Sequence, residues 1–91
     1  MQIRSLKVNA KDSVAMVLED ACQGEYAVVD GEQIALKENI EFAHKFALCD
    51  IKSGTPIIKY GEEIGYALND IKKGEWIHRH NMGCDRGKKM E

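Results

Sequence analysis

Residues 47–59 read A-L-C-D-I-K-S-G-T-P-I-I-K, and residues 67–79 read A-L-N-D-I-K-K-G-E-W-I-H-R. Aligned at a spacing of twenty, they agree at seven of thirteen positions, among them Leu48 with Leu68, Asp50 with Asp70, Ile51 with Ile71, Gly54 with Gly74 and Ile57 with Ile77. Each copy reads as a short apolar strand, a turn and a second strand. The glycine at the end of the turn supplies positive φ, and the aspartate at its start can bond back to the turn backbone. Two copies are too few for a solenoid, which needs about three repeats to bury a core. They are therefore expected to fold on each other as a duplicated β unit with approximate two-fold symmetry.

On the C-terminal side, residues 75–80 are expected to form the last strand. A period of two then sets Trp76, His78 and His80 on one face and Ile77 and Arg79 on the other. Beyond Asn81 the sequence loses its pattern, so residues 1–82 are read as one domain and residues 83–91 as a flexible or partner-docked tail. Between the copies, Gly61-Glu62-Glu63 is expected to turn into a strand over residues 64–68, with Pro56 at a strand start, where its missing N–H does little harm. On the N-terminal side, residues 26–29 and 33–36 flank Asp30-Gly31, a strong hairpin signal. Residues 37–41 read as a polar connection, residues 3–8 as a strand, and residues 14–18 as a strand or the first turn of a helix. The fold class is all-β or nearly so, with at most one short helix near Asp20 or Asn39.

A chain of 91 residues makes one small domain that buries only roughly 60 to 65% of its unfolded surface, so a partner or an oligomer is expected from size alone. The formal charge is −2, with no dense basic face beyond Arg86, Lys88 and Lys89, which argues against nucleic acid. No apolar run approaches the roughly 18 residues of a membrane span, and the N-terminus lacks a signal-peptide core, so a cytoplasmic location is expected. Cys22, Cys49 and Cys84 are an odd set at unrelated spacings, which fits reduced thiols. Cys22 and Cys49 are expected to be small buried side chains.

Four features carry a resemblance: His44-Lys45, the doubled D-I-x-x-G turn, K-Y-G-E-E-I-G at residues 59–65, and H-R-H-N at residues 78–81. With them, residues 43–81 resemble the SAF-type domain at the N-terminus of altronate and galactarate dehydratases. The same module occurs as a separate subunit in the alpha chain of sulfolactate sulfo-lyase. One departure is Ala43, where the family usually has glycine. The resemblance implies a β-clip, a compact arrangement of short folded-over strands. It also implies a role beside a large dehydratase subunit that acts on a sugar acid, with iron(II) or another divalent metal held mainly by that large partner.

His78 and His80 lie two apart, so on a strand both rings face one side and could serve as acid or base or hold a metal. The resemblance adds His44 as a third catalytic candidate and Lys45 and Asn81 as substrate-binding candidates. The bland readings are a solvated strand face for His78 and His80 and a charged strand edge for His44-Lys45. Cys84 completes an H-x-H-x-x-x-C spacing, but a structural zinc site normally wants a fourth ligand, and the sequence shows none. Two further classes stand beside the lyase subunit: a stand-alone ligand-binding module, and an assembly domain with no site.

Overall fold

A computed structural model describes residues 1–84 of the chain. It contains nine short strands, and no helix among the described residues: β1 (Ser5–Leu6), β2 (Val14–Val17), β3 (Tyr26–Val29), β4 (Glu32–Ala35), β5 (Lys45–Ala47), β6 (Pro56–Lys59), β7 (Glu62–Ala67), β8 (Trp76–Ile77) and β9 (Met82–Gly83). The all-β, folded-over architecture is the one expected. No helix among the described residues is long and apolar enough to cross a membrane.

The repeated D-I-x-x-G turns face each other in an antiparallel bridge between Ile51 and Ile71. Each isoleucine N–H donates to the other's carbonyl at 2.7 Å. The aspartates do not bond back to their own turns as expected, but cross over. The Lys73 N–H donates to Asp50 Oδ1 at 2.8 Å, and the Ser53 N–H donates to Asp70 Oδ1 at 2.9 Å. Gly54, at φ 85, and Gly74, at φ 92, take the left-handed conformation that reverses each chain into its next strand. Their N–H groups donate to the carbonyls of Ala67 and Ala47. Every one of these bonds has its counterpart in the other copy, which is the approximate two-fold expected.

The same clasp occurs a second time, where the sequence gives little sign of it. Ala21 and Ile40 form the bridge. The Phe42 N–H donates to Asp20 Oδ1 at 2.9 Å, and the Gln23 N–H donates to Asn39 Oδ1 at 2.8 Å. Gly24 (φ 94) and Ala43 (φ 73) hold the left-handed positions. The two places expected to tolerate a short helix, Asp20 and Asn39, are thus the two caps of this first clasp.

Each clasp closes the base of a hairpin. In the first hairpin Asp30 and Gly31 both have positive φ at the two-residue turn, and in the second Tyr60 and Gly61 do, which is the geometry that matches strand twist. The second turn is therefore Tyr60-Gly61, and Glu62 and Glu63 belong to β7 rather than to the turn as expected. The chain is a tandem duplication with Asp20, Gly24 and Gly31 thirty residues before Asp50, Gly54 and Gly61. Past the second turn the offset becomes thirty-one, from Ala43 to Gly74. The register between β6 and β7 shifts between Ile57 and Ile58, leaving Ile64 unpaired. That bulge is the extra residue.

Strands β1, β2, β5 and β8 form a sheet in the order β1-β2-β5-β8. This sheet lies between two cores. Ala15, Val17 and Phe46 join the first, with Ile34, Leu36 and Ile40 from the first hairpin and clasp. Val14, Ala47 and Ile77 join the second, with Ile51, Ile57 and Ile71. Adjacent strand residues point to opposite faces, so Phe46 and Ala47 serve different cores.

Other expectations are corrected. The first strand is two residues long, not six. The strand expected over residues 75–80 ends at Ile77, not His80, and β9 follows it. Cys22, Cys49 and Cys84 are all exposed, because Cys22 and Cys49 lie in the clasp loops outside both cores. The tail expected over residues 83–91 begins with Gly83 paired to Tyr66 in β7, and from residue 85 onward it lies outside the described residues.

Ala43 and Gly74 hold equivalent positions but differ in surroundings, and two opposite outcomes follow. Ala43 is exposed, so Ala43→Gly relieves left-handed strain and should stabilise the fold by roughly 0.5 to 1 kcal/mol net of glycine's chain entropy. A Cβ on Gly74 would collide with the Ala35 carbonyl oxygen, so Gly74→Ala should cost roughly 2 to 4 kcal/mol. Urea unfolding of the two variants measures both. A second pair of variants tests the crossed caps. Asp50→Ala should lower stability measurably, whereas Asp50→Asn should recover most of the loss, because Asn39 already does the same work in the first clasp.

Candidate functional site

Trp76 begins β8 with its backbone N–H donated to Glu38 Oε2 at 3.0 Å. After Ile77 the chain leaves the sheet in a turn over residues 78–81, and one side chain causes it. Asn81 is 5% exposed. Its Nδ2–H donates to the Trp76 carbonyl at 2.8 Å, and its Oδ1 accepts from the His78 N–H at 3.0 Å. The groups that would have continued the strand are satisfied by this amide, and the Met82 N–H closes the turn on the His78 carbonyl. Asn81, expected as a substrate contact, sits beneath the turn and holds His78 in place.

The strand alternation expected to align Trp76, His78 and His80 is therefore absent, yet the rings still meet. The turn folds back over the indole. His78 stacks on Trp76 with ring centres 5.4 Å apart and planes 11° from parallel, and His80 lies 5.0 Å away, tilted. His44 arrives from the other repeat, in the loop between the Ala43 kink and β5. Its ring centre is 5.6 Å from Trp76 and 5.3 Å from His78, and its Nδ1 accepts from the indole Nε1–H at 3.1 Å. All three candidate histidines thus share one patch around Trp76. Sequence reasoning placed Trp76 on the face but gave it no role; its position two residues before His78 was the available signal.

His44 and His78 are half-buried, and His80 is exposed. Partial burial is the largest cause holding the His78 imidazole below its ordinary value of 6.5, and His44, Lys45, Arg79 and His80 add to it. Every charged neighbour that shifts His78 is thus a cation or becomes one on protonation. Lys45, in register with Ile77 on the central sheet, is pushed below the usual lysine range by burial first and by Lys59 second. It has no ion-pair partner among the described residues. A half-buried ammonium beside imidazoles and short of a counter-ion favours an anion such as a carboxylate.

A metal fits less well. Among the described residues no group of three His, Cys, Asp or Glu side chains is placed to hold an ion. His78 and His80 supply imidazoles without the carboxylate that completes a two-histidine iron site. The residues present here therefore do not fit an iron(II) centre, and Cys84 does not complete a zinc set with them.

Residues 3–85 match the profile of the altronate/galactarate dehydratase SAF domain. The chain is 45% identical over 76 residues to altronate dehydratase of Escherichia coli (strain K12), covering 84% of this chain and 15% of that protein. Against galactarate dehydratase (L-threo-forming) of the same organism it is 41% identical over 73 residues, or 79% of this chain and 14% of that protein. Against the (2R)-sulfolactate sulfo-lyase subunit alpha of Paracoccus pantotrophus it is 39% identical over 54 residues, or 59% of this chain and 81% of that subunit. The chain spans about 15% of the length of the dehydratases it matches. With residues 3–85 inside one profile, the chain belongs to the altronate/galactarate dehydratase SAF domain family.

Proposed function

We propose that this chain is the small SAF module of a lyase that removes water from a sugar acid, working with a large partner that holds most of the pocket. One observation carries the reading: His44, His78 and His80 gather on Trp76 beside Lys45, a half-buried cation without a counter-ion among the described residues. Such dehydration takes the proton beside the carboxylate and expels the 3-hydroxyl as water. Lys45 receives the carboxylate. His78, kept neutral by its surroundings, offers a ring nitrogen that can accept a proton near neutral pH, and exposed His80 stands at the rim toward the partner. We assign any iron(II) or other divalent metal to the large partner, because this chain's donor set does not fit one.

A second reading follows from the sulfo-lyase subunit, 81% of which aligns with this chain. A separate polypeptide of similar extent exists in that enzyme, so a sulfonated hydroxy acid is the alternative substrate and a separate large subunit the corresponding partner.

The test is to mix or co-express the chain with a large dehydratase-like partner and measure turnover of altronate, galactarate and sulfolactate. The small chain alone should be inactive and the complex active on one acid. His44→Ala and His78→Ala should each lower turnover by at least roughly a hundredfold with assembly intact, the low end for a positioned acid or base. If both variants assemble and keep near-normal rates, the module serves assembly alone.

The pH profile gives an independent measure. The shift on His78 is downward, so if His78 is the base, the acid limb of kcat/KM should lie below pH 6.5 and the rate should hold from there toward neutrality. A limb above 6.5 would remove His78 from the role.

A further inference from the structure

Resting on the reading just given, we propose that Trp76 is a positioning residue that fixes His44 in the tautomer with its proton on Nε2, so that His44 meets a substrate oxygen as a hydrogen-bond donor and not as a base. An indole N–H can only donate. It points at His44 Nδ1 at 3.1 Å, so that nitrogen must present its lone pair. A neutral imidazole has one donor and one acceptor nitrogen, and the remaining proton therefore sits on Nε2. An imidazolium has no acceptor, so the contact exists only with the neutral ring.

Both partners are held at their backbones. Trp76 is fixed by Glu38 at its N–H and by Asn81 at its carbonyl, and its ring carries His78 stacked upon it. The His44 N–H donates to the Glu41 carbonyl at 3.0 Å, and its carbonyl accepts from the Val17 N–H at 2.9 Å. The two rings therefore have little freedom to exchange the N–H···N contact for another. The consequence is a division of labour between imidazoles whose centres lie 5.3 Å apart. His44 directs an N–H at a hydroxyl or carboxylate oxygen, and His78, whose Nδ1 and Nε2 are not engaged by Trp76, is left to accept a proton.

Long-range proton–nitrogen correlation spectra of the isotope-labelled chain, recorded above the imidazole titration range, read the tautomer directly. His44 should show a single Nε2–H pattern, and Trp76→Phe should convert it to an averaged one. Replacing Trp76 by benzothienylalanine keeps the bicyclic shape and removes only the N–H, so it separates the hydrogen bond from packing and should give the same averaged pattern. In the reconstituted complex that replacement should lower kcat by roughly two- to tenfold, the range of one hydrogen bond. An Nδ1–H or mixed pattern for wild-type His44 overturns the proposal, as does an unchanged kcat in the benzothienylalanine complex. Failure of the dehydratase reading shows up separately, as near-normal rates in both His44→Ala and His78→Ala complexes.

Discussion

The fold hangs on the crossed Asx cap. A turn that ends in a left-handed residue leaves backbone N–H groups pointing away from any strand, and in a chain with few residues per strand those groups would otherwise depend on water. Here the Asx side chain of one turn takes the N–H of the opposing turn, and the favour is returned. Because both partners are needed, neither turn can close alone. The clasp ties together segments about twenty residues apart, and each one locks the base of a two-residue hairpin. The two clasped hairpins then pack on opposite faces of one four-stranded sheet, which is how a chain this short supports two cores.

This arrangement explains what could be read in advance. The second clasp was legible because its halves keep the same residues, Asp50-Ile51-Lys52 and Asp70-Ile71-Lys72, with glycine at the kink of each. The first was not, because its halves share only the chemistry. Asp20 and Asn39 are both Asx acceptors, but Ala21 faces Ile40, and Ala43 stands where glycine would announce a left-handed turn. The thirty-residue duplication was hidden for a further reason. The unpaired Ile64 changes the offset midway, so no single spacing aligns the two units, although Gly31-Glu32 and Gly61-Glu62 keep the hairpin signature.

The ring cluster around Trp76 was legible in its members and not in its geometry. Histidine identities and the family resemblance pointed to His44, His78 and His80, but strand periodicity was the wrong reason for their meeting. Periodicity assumes that each backbone N–H continues the ladder, and Asn81 breaks that assumption by taking both the His78 N–H and the Trp76 carbonyl. A polar residue four places past the strand cannot be seen to do this from spacing alone. The bridging of His44 to Trp76 is equally a tertiary fact, since it joins residues 32 apart through a side chain that sequence reasoning treated as a neighbour.

The same duplication accounts for why the site lies where it does. His44 follows the kink of the second clasp half and Trp76 the kink of the fourth, one residue off the same position in the motif, where Glu25, Thr55 and Glu75 occupy the place of His44. Glu25 and Glu75 use their carboxylates to cap their own turns at the N–H of Cys22 and Lys72. His44 has no such duty, so its ring is available to Trp76 and to a ligand. Lys45, His44 and His78 remain only half-covered by this chain, and His80 is exposed. Electrostatic recognition of a carboxylate strengthens as water is excluded. A second protein surface closing over the patch would supply that exclusion.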